Sequence, residues 1–166
     1  FQKMKILKSK GLVTKIGISF TSSKDLYKIL NRFNIDVIQL PYNIVDRRIH
    51  SKKVIELLKT KKIELQTRSI FLQGLLFKKY SNIPFNIRKR SKHLLKMKSF
   101  LSRTKKNKLS KMLKFVYNNN LPENFIIGVD NFKQILEISK VKKENYSKFD
   151  DLSTYDEKLI NPSLWY

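Results

Sequence analysis

The chain has 166 residues, of which 41% are hydrophobic, so it is long enough for one domain with a core and too apolar for intrinsic disorder. It has no cysteine, which excludes disulfide frameworks and thiolate metal sites, and we expect a cytoplasmic protein. The net charge of +23 is typical of proteins with a polyanionic partner, although lysine, asparagine and isoleucine also share AT-rich codons.

The first predicted strand and helix follow each other within residues 12–33. Residues 12–20 (LVTKIGISF) are rich in β-branched and aromatic side chains, as is typical of a strand. Ser22 followed by Asp25 resembles a capping box and predicts the start of a helix. Apolar side chains then recur at helical spacing and predict its inner face. They are Leu26, Ile29, Leu30 and Phe33.

The alternation of strand and helix then repeats. A strand is predicted at 35–40, a helix capped by Ser51 at 51–62, and a further strand at 63–71. The segment 124–140 predicts a last strand followed by a helix. Strands and helices that alternate every 20 to 30 residues or so indicate βαβ units and a parallel sheet. The inner side of the last helix is predicted to carry Phe132, Ile135 and Leu136.

A basic helical insertion interrupts the alternation at about 75–120. Its first part, within 74–90 (GLLFKKYSNIPFNIRKR), predicts an irregular loop held by aromatic anchors. Apolar side chains at helical spacing predict one helix around 94–101 and another around 109–116. After the last helix, residues from about 145–166 read as a tail that docks by its aromatic side chains.

The predicted strands become polar or small where their apolar runs stop. These ends are Ser19, Gln39, Arg68–Ser69 and Gly128–Asp130. In parallel α/β folds, cofactors and substrates bind where the strands end and the following loops begin. The four ends therefore predict the lining of a cofactor or substrate site, and the alternative is that polarity simply returns wherever a strand ends.

Four segments resemble strands five to eight of the aldo/keto reductase family: VTKIGISF, DVIQLPYNIVDRR, IELQTRSIFLQGLLF and FIIGVDNFKQILEI. The closing INPSLW resembles the C-terminal end of many members. The resemblance implies an α/β fold, the C-terminal half of a (β/α)8 TIM barrel, because a whole barrel needs about 250 residues. It implies NADP or NAD as cofactor and a small carbonyl or alcohol as substrate.

The resemblance also assigns site residues by position. Ser19 and Gln39 would hydrogen-bond the nicotinamide carboxamide, Gln39 being a buried amide matched to an amide. Arg68 falls where many members stack an aromatic ring on the nicotinamide, and a planar guanidinium can also stack or reach a phosphate. The loop around the pyrophosphate is matched by Ser69, Phe71 and Gln73. The segment that holds the adenosine part is matched by Gly128, Asp130, Asn131, Gln134 and Glu137.

Two positions depart from the family pattern. Phe20 stands where many members have asparagine, so one carboxamide contact is expected to be missing. Asp130 stands where many members have serine or lysine near the adenosine 2′-position. A carboxylate repels a 2′-phosphate and accepts hydrogen bonds from ribose hydroxyls, which favours NAD over NADP.

The catalytic tetrad of the family, an Asp, a Tyr, a Lys and a His, lies on strands one to four. No residue of this chain matches it, so we expect a cofactor-binding part that is inactive alone and whose other half is missing. His50 and His93 are expected to be ordinary loop or surface histidines, and no metal or membrane partner is expected.

Two alternatives stay open. A basic nucleic-acid-binding protein would use residues 88–114 with Phe85 and Phe100, but no recognised module of that class is present, so nucleic acid is a less favoured partner. A non-catalytic remnant that still binds a dinucleotide would share the cofactor residues without any reaction.

Overall fold

The fold is described from a computed structural model, which covers residues 1–21, 25–103, 108–119, 122–142 and 151–165. The predicted helix cap Ser22 lies outside these residues. The chain divides into two compact units, each of which has its own core. The sheet unit consists of Phe1–Pro41, Arg48–Arg68 and Leu121–Ile126, and the helical unit of Tyr42–Arg47, Ser69–Asn120 and Ile127–Tyr166.

The sheet unit is built around parallel strands that lie in the order in which they occur along the chain. They are β1 (Gly17–Ser19), β2 (Val37–Pro41), β3 (Glu64–Arg68) and β4 (Asn124–Phe125). The helices of this unit are α1 (Gln2–Ser9), α2 (Leu26–Arg32) and α3 (Lys52–Thr60), with a 3-10 turn at Arg48–His50. The predicted parallel sheet is therefore confirmed.

The predicted inner face of α2 is confirmed in part, because Ile29 and Phe33 are only half-buried, and α3 likewise has one buried side. Leu26 and Leu30 of α2 are buried, as are Val54 and Leu58 of α3. Ser51 occupies the N-cap position of α3 as predicted, but its side chain makes no capping hydrogen bond. Apolar periodicity thus identifies these helices, because burial of one face contributes more to their stability than capping does.

Acidic side chains extend the hydrogen bonding of the sheet at the start of two strands. Asp36 accepts a hydrogen bond from the Ile16 amide at 2.8 Å and another from Lys8. Glu123 accepts one from the Leu65 amide at 2.7 Å. The Lys8 hydrogen bond, followed by that of the Ile16 amide, lowers the pKa of Asp36. Both carboxylates thus accept hydrogen bonds from backbone amides of the sheet unit.

The two outer strands are shorter than predicted. Strand β1 has three residues and β4 only two, whereas Leu12 and Val13 are exposed coil. A β-branched sequence forms a strand only where a neighbouring strand pairs with it. Both β1 and β4 pair on one side only among the described residues, so their apolar flanks remain unpaired.

The helical unit contains the basic insertion and the C-terminal segment. Its helices are α4 (Phe85–Arg88), α5 (Ser91–Ser102), α6 (Lys108–Tyr117), α7 (Phe132–Ser139) and α8 (Glu157–Ile160). Its 3-10 turns are Leu72–Gly74, Tyr80–Asn82 and Pro162–Leu164. The predicted faces of α5 and α6 are confirmed, apart from Leu95, which is exposed, and Leu109, which is half-buried. The predicted side chains that are buried are Leu94, Met97, Phe100, Leu101, Met112, Leu113 and Val116.

Aliphatic side chains, not aromatic ones, anchor the first part of the insertion. The prediction of aromatic anchors is wrong, because Phe77, Tyr80 and Phe85 are exposed. Ile83 and Ile87 are buried instead. These two aliphatic side chains pack in the interior, whereas the aromatic rings point outward. Lys89 Nζ lies 4.9 Å from the centroid of the Phe85 ring.

The prediction that one side of α7 is buried is also wrong. Phe132, Ile135 and Leu136 are exposed, and Phe132 keeps 70% of its accessible surface. Helical periodicity identifies an apolar face correctly but does not say whether any part of the described chain covers it.

The C-terminal segment docks mainly through aliphatic residues and one aromatic residue. Trp165 is buried and its Nε1 donates a hydrogen bond to the Leu159 carbonyl at 3.2 Å, whereas Tyr155 is 82% exposed. Leu152 is buried, and its carbonyl accepts a hydrogen bond from His93 Nε2 at 2.8 Å. His93 therefore holds α5 to this segment, a structural role. Among the described helices, none is long and apolar enough to cross a membrane.

Candidate functional site

A row of polar side chains crosses one face of the sheet. Ser19, Gln39, Gln66 and Asn124 are register partners on the successive strands. Register partners in a parallel sheet point to the same face, and neighbouring positions point to the other. The preceding row, which includes Ile38 and Leu65, is apolar and buried on that opposite face. The sheet thus has one apolar face and one polar face.

At the C-terminal end of the strands, the polar face carries a hydrogen-bonded network across β1, β2 and β3. Ser19 Oγ donates to Gln39 Oε1 at 3.2 Å, and Arg68 Nε donates to Ser19 Oγ at 3.2 Å. Arg68 Nη2 also donates to the Phe20 carbonyl at 3.1 Å. The Phe20 amide donates to the Gln39 carbonyl at 2.8 Å. The three predicted residues Ser19, Gln39 and Arg68 are therefore in one cluster.

Gln39 is half-buried, not buried as predicted. Its side chain lies on the polar face, whereas the buried positions of β2 are Ile38, Leu40 and Pro41. Its Oε1 accepts from Ser19, and no described residue accepts a hydrogen bond from its Nε2. The hydrogen bond from Ser19 to Oε1 thus anchors the Gln39 side chain, and its Nε2 can donate to a ligand.

A second network occupies the N-terminal end of the same face. Glu64 accepts hydrogen bonds from Lys15, from Gln66 Nε2 at 3.0 Å and from Asn124 Nδ2 at 3.3 Å. The hydrogen bond from Lys15 lowers the pKa of Glu64 and raises that of Lys15. Lys15 thus balances the charge of the Glu64 carboxylate, and the two side-chain amides add hydrogen bonds to it. At this end of parallel strands, such a network serves stability, while ligands bind at the other end.

Sequence reasoning missed Glu64, Gln66 and Asn124 as members of the polar face. The signal was present in the alternation ELQTR, where positions 64, 66 and 68 are polar and 65 is apolar. Such an alternation within a strand indicates a sheet with one polar face.

In the helical unit, the predicted residues Ser69, Phe71 and Gln73 lie on a segment of unusual backbone. Ser69, Leu72 and Gln73 have φ values of 60°, 47° and 48°, in the left-handed region that side chains with a Cβ rarely occupy. Gly74 follows with φ 72°. Backbone strain of this kind is concentrated at ligand-binding segments. Leu72 is buried and anchors the turn, while Gln73 is exposed.

Asn43 holds this segment and was missed by the sequence reasoning. It is fully buried, and its Nδ2 donates to the Ser69 carbonyl at 3.0 Å. Its Oδ1 accepts hydrogen bonds from the amides of Val45 and Asp46, both at 2.9 Å. The side chain therefore closes its own turn and fixes the start of the Ser69 loop. A buried asparagine after PY in QLPYN was the available signal.

Two further predicted residues, Asn131 and Gln134, cap the start of α7. Asn131 Oδ1 accepts a hydrogen bond from the Gln134 amide at 3.1 Å, and Gln134 Oε1 accepts one from the Asp130 amide at 2.8 Å. This reciprocal arrangement resembles a capping box. Asp130 and Glu137 are exposed, and Gly128 has open space where a Cβ would lie.

The eleven predicted residues thus form two groups, one in each unit. That both groups bind one dinucleotide stays a prediction. No group of three or more His, Cys, Asp or Glu side chains suited to a metal ion occurs among the residues the structure describes.

Comparison with known proteins identifies the family. The sequence profile of the aldo/keto reductase family matches residues 1–159. No match is found among the curated proteins. Solved structures similar to the chain include the holo form of aldo-keto reductase AKR11C1 from Bacillus halodurans, with 20% identity and a TM-score of 0.62 over 82% of this chain and 47% of that chain.

The apo form of the same reductase matches with 19% identity and a TM-score of 0.64, over 89% of this chain and 51% of that chain. The glycerol dehydrogenase AKR11B4 from Gluconobacter oxydans matches with 12% identity and a TM-score of 0.51, over 83% and 51%. At these identities the likeness concerns the fold. The chain spans about half the length of these solved structures. By the match of its sequence over residues 1–159, the chain belongs to the aldo/keto reductase family.

Proposed function

We propose that the chain is the C-terminal half of an aldo/keto reductase barrel and contributes the cofactor-binding edge of an oxidoreductase. The parent reaction is reversible hydride transfer between NAD(P)H and a small carbonyl or alcohol. Parallel strands in chain order support this proposal, as does the exposed apolar face of α7. Large apolar side chains on a helix are normally covered, here by the half-barrel that carries strands one to four.

The amide nitrogen of Gln39, which has no acceptor among the described residues, is the observation that carries the proposal. Gln39 lies in the middle of β2, on the polar face, and its Oε1 accepts a hydrogen bond from Ser19. The oxygen of a carboxamide is an acceptor that this donor nitrogen can satisfy. The residues present therefore fit the nicotinamide group.

Each group of residues would hold one part of the dinucleotide. Ser19 and Gln39 would bind the carboxamide, and Arg68 would lie beside the nicotinamide. The pyrophosphate would contact the strained loop through Ser69, Phe71 and Gln73. The adenosine part would be held by Gly128, Asp130, Asn131, Gln134 and Glu137. When bound, the dinucleotide supplies the hydride, and the role of this chain is to bind and orient it.

Proton donation belongs to the tetrad of the other half. General acid catalysis by a tyrosine requires that side chain within hydrogen-bond reach of the substrate oxygen. No residue here matches the tetrad, so this chain should bind the dinucleotide and show no turnover by itself. The substrate rim would include the first part of the basic insertion, within residues 74–90.

The proposal is tested by titrating the protein with NADH and NADPH. Gln39→Leu removes one net hydrogen bond and should raise the Kd about tenfold. Gln66→Ala is the matched control, because Gln66 lies in the same row but its amide nitrogen bonds Glu64. Equal losses in both variants, or no binding by the wild type, would reject the proposal.

The same titration tests cofactor preference. Asp130 is exposed just before α7, and its carboxylate should repel a 2′-phosphate. NADH is therefore expected to bind more tightly than NADPH, and Asp130→Ser to narrow the difference. Tighter binding of NADPH by the wild type would reject the assignment of Asp130.

A further inference from the structure

We propose that the helical unit carries a surface that binds single-stranded nucleic acid, formed by the outward side of α4 and α5. The exposed side chains of this α4–α5 surface recur at intervals of four and three residues, which places them on one side of the helical segment. They are Phe85, Lys89, Lys92, Lys96, Ser99 and Arg103. The proposal concerns a second partner and does not rest on the proposed function.

The opposite side of α4 and α5 forms part of the core, which fixes the outward direction of the α4–α5 surface. The buried side chains on that opposite side are Ile87, Leu94, Met97, Phe100 and Leu101. Only Lys89 and Arg90 separate the two helices. The 12 residues of α5 extend over about 18 Å, so its outward cations form a row along the surface.

The positive charge of this row is not balanced by neighbouring carboxylates. The sequence has no acidic residue from Leu65 to Pro122. In the part of the chain that the structure describes, no carboxylate pairs with Lys89, Lys92 or Arg103. A row of unpaired cations attracts a polyanion, and phosphate groups spaced along a strand match such a row.

Two acidic residues lie beside the α4–α5 surface and leave these three cations available. Asp156 pairs with Arg90, whose Nε lies 2.5 Å from its Oδ2, and Arg90 is not part of the surface. Lys96 Nζ donates to the backbone carbonyl of Asp151 at 2.9 Å. Lys96 is therefore the most restrained cation of the row, although it keeps its charge.

The exposed ring of Phe85 favours a single strand over other polyanions. The side chain keeps 63% of its accessible surface. Two cations flank the ring, with Lys89 Nζ 4.9 Å and Arg88 Cζ 5.8 Å from its centroid. An unpaired base can stack on such a ring while the cations bind the adjacent phosphates. In a duplex the bases are already stacked on each other and closed to the ring.

A membrane surface matches the same residues less well. A helix that binds in the membrane interface inserts its apolar side. That side of α5 is already packed into the core through Leu94, Met97 and Leu101. On the outward side of α5, Leu95 is the large apolar residue that is exposed. Binding of nucleic acid, in contrast, requires only the exposed cations and the ring.

The proposal is tested by fluorescence anisotropy with labelled oligothymidylate and oligouridylate of about 12 nucleotides. The two probes distinguish DNA from RNA as the source of the strand. The Kd is measured at a series of salt concentrations with the whole chain. If the four cations each contact one phosphate, log Kd should rise with log salt with a slope of about 3.

Removal of three cations should lower this slope. In the triple variant Lys89→Gln, Lys92→Gln and Arg103→Gln, we expect the slope to fall to about 1, because each lost phosphate contact removes about 0.7. The three side chains are exposed, so the fold should be retained.

A matched triple variant on α3 controls for the overall positive charge. Lys52→Gln, Lys53→Gln and Lys59→Gln remove the same charge from exposed positions of the sheet unit. This control should keep the wild-type slope. Equal losses in the two triple variants would mean that binding follows the net charge alone, which overturns the proposal.

Phe85→Leu tests the stacking of a base separately from charge. We expect it to raise the Kd at least about fivefold and to leave the salt slope unchanged. Phe132→Leu is the control, since Phe132 is also an exposed ring of the helical unit, and it should bind as the wild type does. Wild-type affinity of Phe85→Leu would overturn the assignment to single-stranded nucleic acid.

Two further results would overturn the proposal. One is that the wild type binds neither oligonucleotide at low salt. The other is that it binds vesicles of phosphatidylserine but not the oligonucleotides, which would assign the α4–α5 surface to membranes. Neither result bears on the binding of a dinucleotide by Gln39.

Discussion

At the scale of single residues, two glutamines on one sheet face illustrate what decides a binding residue. Gln39 and Gln66 are register partners, yet Gln66 donates to Glu64 while the nitrogen of Gln39 has no acceptor among the described residues. The sequence predicts Gln39 as a site residue through its family motif. It does not predict which amide is satisfied internally, because this depends on register and on partners from other strands.

Gln73 provides a second test at this scale, since its backbone is strained and its side chain is a proposed ligand. Gln73→Gly should raise the free energy of unfolding by about 0.5–1 kcal/mol, because glycine adopts φ near 48° without steric cost. The same variant should weaken dinucleotide binding several-fold. Denaturant unfolding and titration measure the two effects.

Lys62→Gly is the matched control for this substitution. Lys62 is exposed after α3 with φ 52°, so the variant should gain similar stability without any change in binding. If Gln73→Gly binds the dinucleotide as tightly as the wild type does, Gln73 is not a ligand.

At the scale of elements, the close approach of β1 and β2 depends on Gly17. A Cβ added at Gly17 would lie well inside van der Waals contact with the Val37 carbonyl oxygen. Gly17→Ala must therefore push two paired strands apart, and we expect it to lower the free energy of unfolding by about 1–3 kcal/mol. Chemical denaturation measures this loss.

Gly128→Ala is the control, because no atom lies within 4 Å of the added Cβ. It should change stability by less than about 0.5 kcal/mol. Equal stability of Gly17→Ala and the wild type would contradict the observed packing of β1 on β2.

The helices and strands also show how much of this fold can be predicted from the sequence. Helices α2, α3, α5 and α6 were predictable because one apolar stripe of period 3.6 marks both the helix and most of its buried side. The lengths of β1 and β4 were not predictable, since a strand exists only where a partner pairs with it.

At the scale of the whole molecule, acidic side chains make the stability of the sheet unit depend on pH. The folded pKa of Asp36 is lowered, first by the hydrogen bond from Lys8 and then by that from the Ile16 amide. A group with a depressed folded pKa contributes stability above its unfolded pKa of about 4 and loses it as the pH falls through the folded value. Stability should therefore fall below about pH 4.

Two variants test whether this loss of stability at low pH comes from Asp36. Asp36→Asn does not titrate, and Lys8→Met removes the largest cause of the shift, so both should flatten the dependence of the unfolding free energy on pH between about 5 and 3. Urea unfolding at a series of pH values measures the slope. A slope that equals that of the wild type in both variants contradicts this role of Asp36.

The site was predictable for the whole molecule only through the family motifs. Position within QLPYN and RSIFLQGLL selects Gln39 and Arg68, which the structure places in one network with Ser19. The hydrogen bonds among these residues were not predictable, because the contact of Arg68 with Ser19 joins residues 49 positions apart. Buried Asn43 and the polar row likewise depend on contacts between distant segments.

The binding of the nicotinamide group by Gln39 is tested most directly by NMR of its side-chain amide. The 15N resonance, assigned by its disappearance in Gln39→Leu, should shift on titration with NADH. It should stay in place with ADP-ribose, which carries the pyrophosphate and adenosine but no nicotinamide. An equal shift with ADP-ribose, or no shift when NADH binding is saturated, would contradict the assignment of Gln39 to the carboxamide.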